Sequence, residues 1–300
     1  MRDRIALGAF ASSFLTCFMG FLTAASAQLL SGQATVPERA FYVGVGGGFS
    51  SVDFGTQHVY AIGTSNVFKN GSLIASGIAA GPANIYVGSD LTFAPSAQVG
   101  YWQHLANRDV LWGAKLIYNY IGTTGRVPNA VIPQVGSFTS AGSTTPVPFA
   151  GPAVVQSYQT DIEHELAFIP MVGRSFDRTF LYVGAGPTLS RTGTNLNGLV
   201  GFADVNGKLT DVSGAPTNFS ASAWTFGGTA AVGATYFLNA SWFVDFMYRY
   251  AVTGSQTDHY SSSFVNTNGP NGSISAGTLV GTSSGKVMTQ GVMITINRVF

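Results

Sequence analysis

Six charged residues sit where strand alternation would bring them together. Asp161, Glu163 and Glu165 occupy every second position of one stretch, and Lys115, Asp245 and Arg249 lie in two others. In an extended chain successive side chains point to opposite faces, so three carboxylates spaced by two share one face. The other face of that stretch carries Ile162, Leu166 and Phe168, which suits lipid, with His164 at an interface. The carboxylates then point inward, where an unpaired charge is costly. Lys115 and Arg249 are the candidate cations for Glu163 or Glu165, with Asp245 nearby. Two readings follow: a salt-bridged plug that fills an interior, or a narrow polar conduit or cation site. No spacing specifies a metal, and nothing calls for a cofactor.

The elements that would hold such a network must be strands in an apolar surround. Charged residues are 9% of the 300, against 13% aromatic, and there are 38 glycines. Soluble domains average about 25% charged residues, so this surface is not built to face water everywhere. Disorder needs high charge and few aromatics, the reverse of this composition. Nucleic-acid binding is excluded by the lack of a Lys/Arg cluster.

The first residues explain part of the apolar content. Arg2 and Arg4 precede an apolar run from Ile5 to about Leu22, followed by Ala25-Ser26-Ala27. This is the pattern of a secretory signal peptide over residues 1–27, with cleavage after Ala27 and a mature start at Gln28. Removing Arg2, Arg4 and Asp3 from the fourteen basic and thirteen acidic residues leaves twelve of each, so the mature chain is formally neutral. Cys17 is the only cysteine and lies in that leader, so neither a disulfide nor a cysteine-ligated metal is expected beyond it.

Residues 28–39 read as a polar, periplasmic arm, and residues 40–300 as one barrel domain. Two-residue periodicity marks eight strands. The first contains Phe41, Val43, Val45 and Phe49; the second runs from about Asp90 to His104. The third, Val110 to Ile121, turns Trp112, Leu116, Tyr118 and Tyr120 outward and Gly113, Lys115 and Asn119 inward. Then come Tyr158 to Arg174, Thr179 to Arg191, Ser222 to Leu238, Trp242 to Thr253, and a closing strand from Gly285 to Phe300. Tyr182, Asp245, Arg249 and Met293 fall on the inner register. Tight turns follow His104, Arg174 and Leu238. Residues 52–90, 122–157, 192–221 and 254–284 read as long loops, the first with room for strand around Val59 and Ile85. A strict alternation of long and tight connections is the pattern of a transmembrane barrel. Residues 224–244 are the most apolar internal stretch, but their period is two rather than 3.6, which disfavours a membrane helix. In hydrocarbon an open sheet edge would leave backbone groups unpaired, so the first strand must meet the last.

The closing strand ends on Phe300, and the first opens on Phe41-Tyr42-Val43-Gly44. Together with the strand pattern these resemble the small eight-stranded outer-membrane barrels of the OmpA type, especially the opacity-like and rhizobial-type proteins. The resemblance implies an all-β, antiparallel, up-and-down transmembrane barrel with four long extracellular loops and both termini in the periplasm. It implies that Phe300 is read by the barrel-assembly machinery, although Arg298 stands where that family places another aromatic. The expected partners are outer-membrane lipids, that machinery, and an extracellular ligand the sequence does not name. His259-Tyr260-Ser261 resembles the His-x-Ser of barrel lipid A deacylases. That family also uses a downstream Glu, and no Glu follows Ser261. The expectation is a non-enzymatic surface protein with no catalytic residues. A narrow passive channel comes second, and a lipid-modifying hydrolase third.

Overall fold

The computed structural model describes residues 35–106, 109–205, 207–269 and 272–300. The leader, the cleavage residues Ala25, Ala27 and Gln28, and most of the arm lie outside the described residues. Every regular element described is a strand: β1 Arg39–Lys69, β2 Ser72–His104, β3 Val110–Ser140, β4 Val147–Phe176, β5 Thr179–Val205, β6 Lys208–Asp211, β7 Thr217–Phe237, β8 Trp242–Thr253, β9 Gln256–Asn266, β10 Ile274–Gly285 and β11 Met288–Val299. All pairings are antiparallel.

Eight of these strands close a ring. The order is β1-β2-β3-β4-β5-β7-β8-β11, and β11 returns to β1 with Tyr42 opposite Val299 and Asp53 opposite Met288. Closure leaves no free edge at this level, which is what a bilayer demands of a sheet. The outer surface of the ring is apolar. Phe41, Val43, Val45, Phe49, Phe93, Trp112, Leu116, Phe168, Leu181, Val232, Ile294 and Ile296 all stand exposed. Exposed aromatics border this band at both ends: Trp112, Phe176, Trp242 and Phe300 near the chain termini, Tyr118, Tyr120, Trp224, Phe226 and Tyr250 at the far end. This is the girdled, lipid-facing surface of a transmembrane barrel. Residues 224–244 belong to β7, a turn and β8 rather than to a helix.

Above the far girdle the ring changes character. The four segments read as loops are present as long connections, but most of their length is paired strand. β1 and β2 run on to a two-residue turn at Asn70 and Gly71, both with positive φ (49° and 80°), the geometry that joins tightly twisted hairpins. β9 continues the line of β8 past Gly254-Ser255, and β10 runs into β11 past Lys286-Val287. Strand pairing runs through this collar as β9-β10-β1-β2-β3-β4-β5-β7, two four-stranded sheets, β9-β10-β1-β2 and β3-β4-β5-β7, joined at the top by a short β2–β3 ladder from Ala75/Ser140 to Ala80/Val135. Between them lies an apolar core. Val59, Ala61, Ile85, Tyr260, Phe264 and Leu279 come from the first sheet, and Ile132, Val155, Tyr158, Leu196, Leu199 and Phe219 from the second. The rings of Phe219 and Tyr260 meet across it with centroids 4.9 Å apart.

The reason these strands read as loops is a belt of irregularities at the boundary. Register shifts fall at Asp53–Thr56 of β1, between Tyr120 and Thr123 of β3, and between Ile162 and His164 of β4. A bulge adds one residue to one strand, and a one-residue slip exchanges its faces. On β1 the inward residues are Val52 and Phe54 below the belt, then Gln57, Val59 and Ala61 above it. A steady period cannot be read through such a switch.

Candidate functional site: the filled lumen

The interior is stacked in layers, and each layer follows from which residues alternate inward. Nearest the chain termini, Tyr42, Trp102, Phe180, Phe237 and Phe243 pack together with Leu111 and Met171. Trp102 contacts Phe180 and Phe243 at centroid distances of 5.1 Å and 5.5 Å. Its indole Nε1 donates to the Pro37 carbonyl at 3.2 Å, and Val36 packs beneath, so the described end of the arm helps to seal this mouth.

Next comes the first charge layer. Lys115 Nζ on β3 lies 2.7 Å from Asp245 Oδ2 on β8, and both side chains are 1% exposed. Lys115 also donates to Tyr182 Oη at 2.8 Å, and Tyr182 Oη donates to Asp245 Oδ1 at 2.8 Å. Gln98 Nε2 reaches Asp245 Oδ2 at 3.1 Å and Asn297 Oδ1 at 2.7 Å. Both carboxylate oxygens of Asp245 are therefore occupied. A buried ion pair offsets its desolvation only when its remaining hydrogen-bonding positions are satisfied in this way.

Ile117, Ala167, Ile169, Ala231, Met247 and Met293 form an apolar layer above it. The second charge layer follows, two inward positions along β8. Arg249 Nη1 pairs with Glu165 Oε1, which also accepts from Asn119 Nδ2 at 3.3 Å. Val52, Phe54, Ile121, Ile162 and Val287 close over this pair. Higher still is a neutral polar layer. There Tyr158 Oη and Ser283 Oγ meet at 2.7 Å, and Thr192 and Thr225 at 3.1 Å. The collar core lies above that.

Four of the six sequence-derived lumen residues thus pair inside the barrel: Lys115 with Asp245, and Arg249 with Glu165. Lys115 takes Asp245 and not a glutamate. Asp161 and Glu163 are corrections. Glu163 is 47% exposed on the outer surface, where its Oε2 lies 3.5 Å from Arg191 Nε and 3.9 Å from His164 Nε2. Asp161 also faces outward, half-buried, and accepts from Asn195 Nδ2 at 3.2 Å. The cause is the bulge between Ile162 and His164, which turns Ile162 inward and leaves Glu163 and His164 together outside. His164 stacks there between Tyr118 and Trp224, both at 25°, and its Nδ1 hydrogen-bonds Tyr118 Oη at 2.9 Å. The sequence puts Gln98 and Asn297 on inner faces but does not reveal that Gln98 bonds both Asn297 and Asp245, partners 199 and 147 residues away along the chain.

His259 and Ser261 lie exposed on β9, while Asp258 alternates to its inner face. Asp258 therefore cannot orient His259, and the hydrolase constellation does not assemble. Among the described residues no three His, Cys, Asp or Glu side chains gather as metal ligands. Phe300 is exposed, its N–H donates to the Phe41 carbonyl at 2.9 Å, and Arg298 stands 5.3 Å from its ring.

No protein-family model matches the chain, and no curated protein does. Among solved structures it is similar to Neisserial surface protein A, at 13% identity over 82% of this chain and 97% of that one, with a TM-score of 0.28. It is also similar to the attachment invasion locus protein Ail of Yersinia pestis, at 12% identity over 80% and 98% of the two chains, TM-score 0.22. The outer membrane protease OmpT of Escherichia coli aligns at 9% identity over 91% and 99%, TM-score 0.27.

Proposed function

We propose that this protein is a non-enzymatic integral protein of the bacterial outer membrane. In this reading the barrel sits in the bilayer with both termini in the periplasm, and the collar projects outside as the surface for external contacts. The observation that supports it is the filled interior. Aromatic side chains close one mouth, two buried ion pairs with their hydrogen-bond partners cross the middle, and an apolar core closes the collar. Eight strands enclose just enough room for side chains, and here they occupy it. In this reading the signal pattern at residues 1–27 directs the chain into the secretory route to that membrane.

A narrow conduit is the second reading. One observation favours it: Ser96, Thr160, Thr188 and Ser190 carry buried hydroxyls with no protein partner, between the sealed ends. Planar-bilayer recording on refolded protein tests both. The plug reading expects no sustained conductance, and no entry of disaccharides into proteoliposomes. Regular conductance steps in the unmodified protein would replace it with the conduit.

A further inference from the structure

Between the bulge belt and the collar core lies a small polar chamber. Its volume is about 20 Å³, room for roughly one guest the size of a water. Gln57 lines it from β1, Thr160 from β4, Thr192 and Thr194 from β5, and Gln256 and Asp258 from β9. Both sheets of the collar therefore contribute, Gln57 and Asp258 from one and the threonines from the other. The floor is apolar, where Val287 packs with Phe54, Ile121 and Ile162.

The lining leaves polar groups to be satisfied. Thr160 is 4% exposed and lies beside Tyr158 Oη. That oxygen is bonded to Ser283 Oγ at 2.7 Å, and Thr160 Oγ1 makes no hydrogen bond within the protein. A buried hydroxyl left in this way costs free energy unless a guest meets it. Gln57 Nε2 donates to the Phe54 carbonyl at 2.5 Å, so Oε1 is the end that can accept. It lies over Gly285, where a Cβ would stand only 1.8 Å from it.

Asp258 supplies the charge. Among the described residues its one side-chain hydrogen bond comes from Gln256 Nε2 at 3.3 Å, whereas a carboxylate has about four lone-pair positions. No Lys, Arg or His lines the chamber, and among the described residues none pairs with Asp258. Carboxylate, hydroxyl and amide oxygens suit a hard cation. A single carboxylate suits a single positive charge, whereas calcium sites gather more carboxylate ligands. The way in is the seam between β7 and β9, which form no ladder. Thr225 Oγ1 bridges it to Gln256 Oε1 at 3.4 Å, and Ser255 and Thr257 on either side of Gln256 are exposed.

We propose that this chamber binds one monovalent cation of the sodium class, with Asp258 as its charged ligand and Thr160 Oγ1 and Gln57 Oε1 as neutral ones. The bound ion ties β9 and β1 to β4, and so holds the two sheets together beside the seam that backbone pairing leaves open. The site needs no conduction, because the apolar floor separates it from the Arg249–Glu165 layer. It is the same whichever side of the membrane the collar faces.

The test compares refolded protein in sodium chloride and in tetramethylammonium chloride of equal ionic strength, the second cation being too large for the chamber. Sodium NMR relaxation reads the bound ion, and limited proteolysis reads the collar. Sodium is expected to broaden on binding and to slow cleavage of the collar. Asp258→Asn keeps the side chain's shape and should weaken binding by about tenfold or more, the scale of one contact to a charged group. Thr160→Val should weaken it as well, while Thr160→Ser should retain it, so the test stands even if Asp258→Asn does not fold. His259→Asn, on the outer face of β9, should behave as the unmodified protein. Equal cleavage in the two salts with no broadening would mean that water alone fills the chamber. A sodium effect that survives both Asp258→Asn and Thr160→Val would place the ion elsewhere. Either result overturns the proposal, as does protection by calcium without protection by sodium.

Discussion

Below the bulge belt the protein buries ion pairs among its interior layers; above it, the interior becomes an apolar core without buried charge pairs. In the membrane half, Leu116 and Phe168 face out while Lys115, Asp245, Glu165 and Arg249 are buried. In the collar, Ile132, Val155 and Tyr158 are buried, as in any water-soluble sandwich. One continuous set of strands builds both halves, so strand propensity cannot account for the difference. The surrounding solvent does. Lipid offers no reward for burying apolar groups, so the interior can give whole layers to ion pairs that satisfy one another, between its aromatic and aliphatic layers. Water rewards an apolar core, and the bulges at Gly55 and Glu163 supply the change of face that lets one strand serve both. The ring also loses its closure at this level, where β7 and β9 form no ladder and the β2–β3 ladder is interrupted, because an incomplete ladder is tolerable only where water or packing can satisfy the backbone.

The largest test of the comparison is the Arg249–Glu165 pair. Arg249→Met leaves a buried carboxylate uncompensated and should cost about 3–5 kcal/mol. Adding Glu165→Met should restore most of that, because a well-packed apolar pair often matches a buried ion pair. Urea unfolding midpoints of the refolded single and double variants decide it. A silent Arg249→Met would mean that the layer is wet and the halves differ less than described.

Ile132→Ala probes the collar by the rule for soluble cores. The expected loss is about 2–5 kcal/mol, read as faster proteolysis of the collar while the membrane ring resists. Equal loss of both halves would show that they unfold as one unit.

Surface charge sharpens the contrast further. Leu116 and Val265 are both exposed, at 44% and 61%. Leu116→Arg faces lipid and should destabilise by about 2–4 kcal/mol near mid-bilayer. Val265→Arg faces water and should stay within about 0.5 kcal/mol. Similar costs at the two sites would remove the assigned boundary.

The smallest effect is expected at the rim. Glu163→Gln breaks a half-exposed contact with Arg191, and should change stability by about 0–1 kcal/mol. A loss as large as that of Arg249→Met would put Glu163 back among the lumen charges.

The sequence by itself determined the closed eight-stranded barrel, the outward aromatics and the inward positions of Lys115, Glu165, Asp245 and Arg249. These depend on alternation along single strands, and period two is a local property. It also marked the three tight turns, where short polar segments interrupt apolar runs. Only the tertiary structure decided which charges pair. Lys115 and Asp245 lie 130 residues apart, and ring closure and stagger set their heights together. It also decided the outward turn of Glu163 and the folding of the four long connections into a collar. A bulge is visible only against its partner strand, and a face switch mid-strand erases the very periodicity from which strands are read.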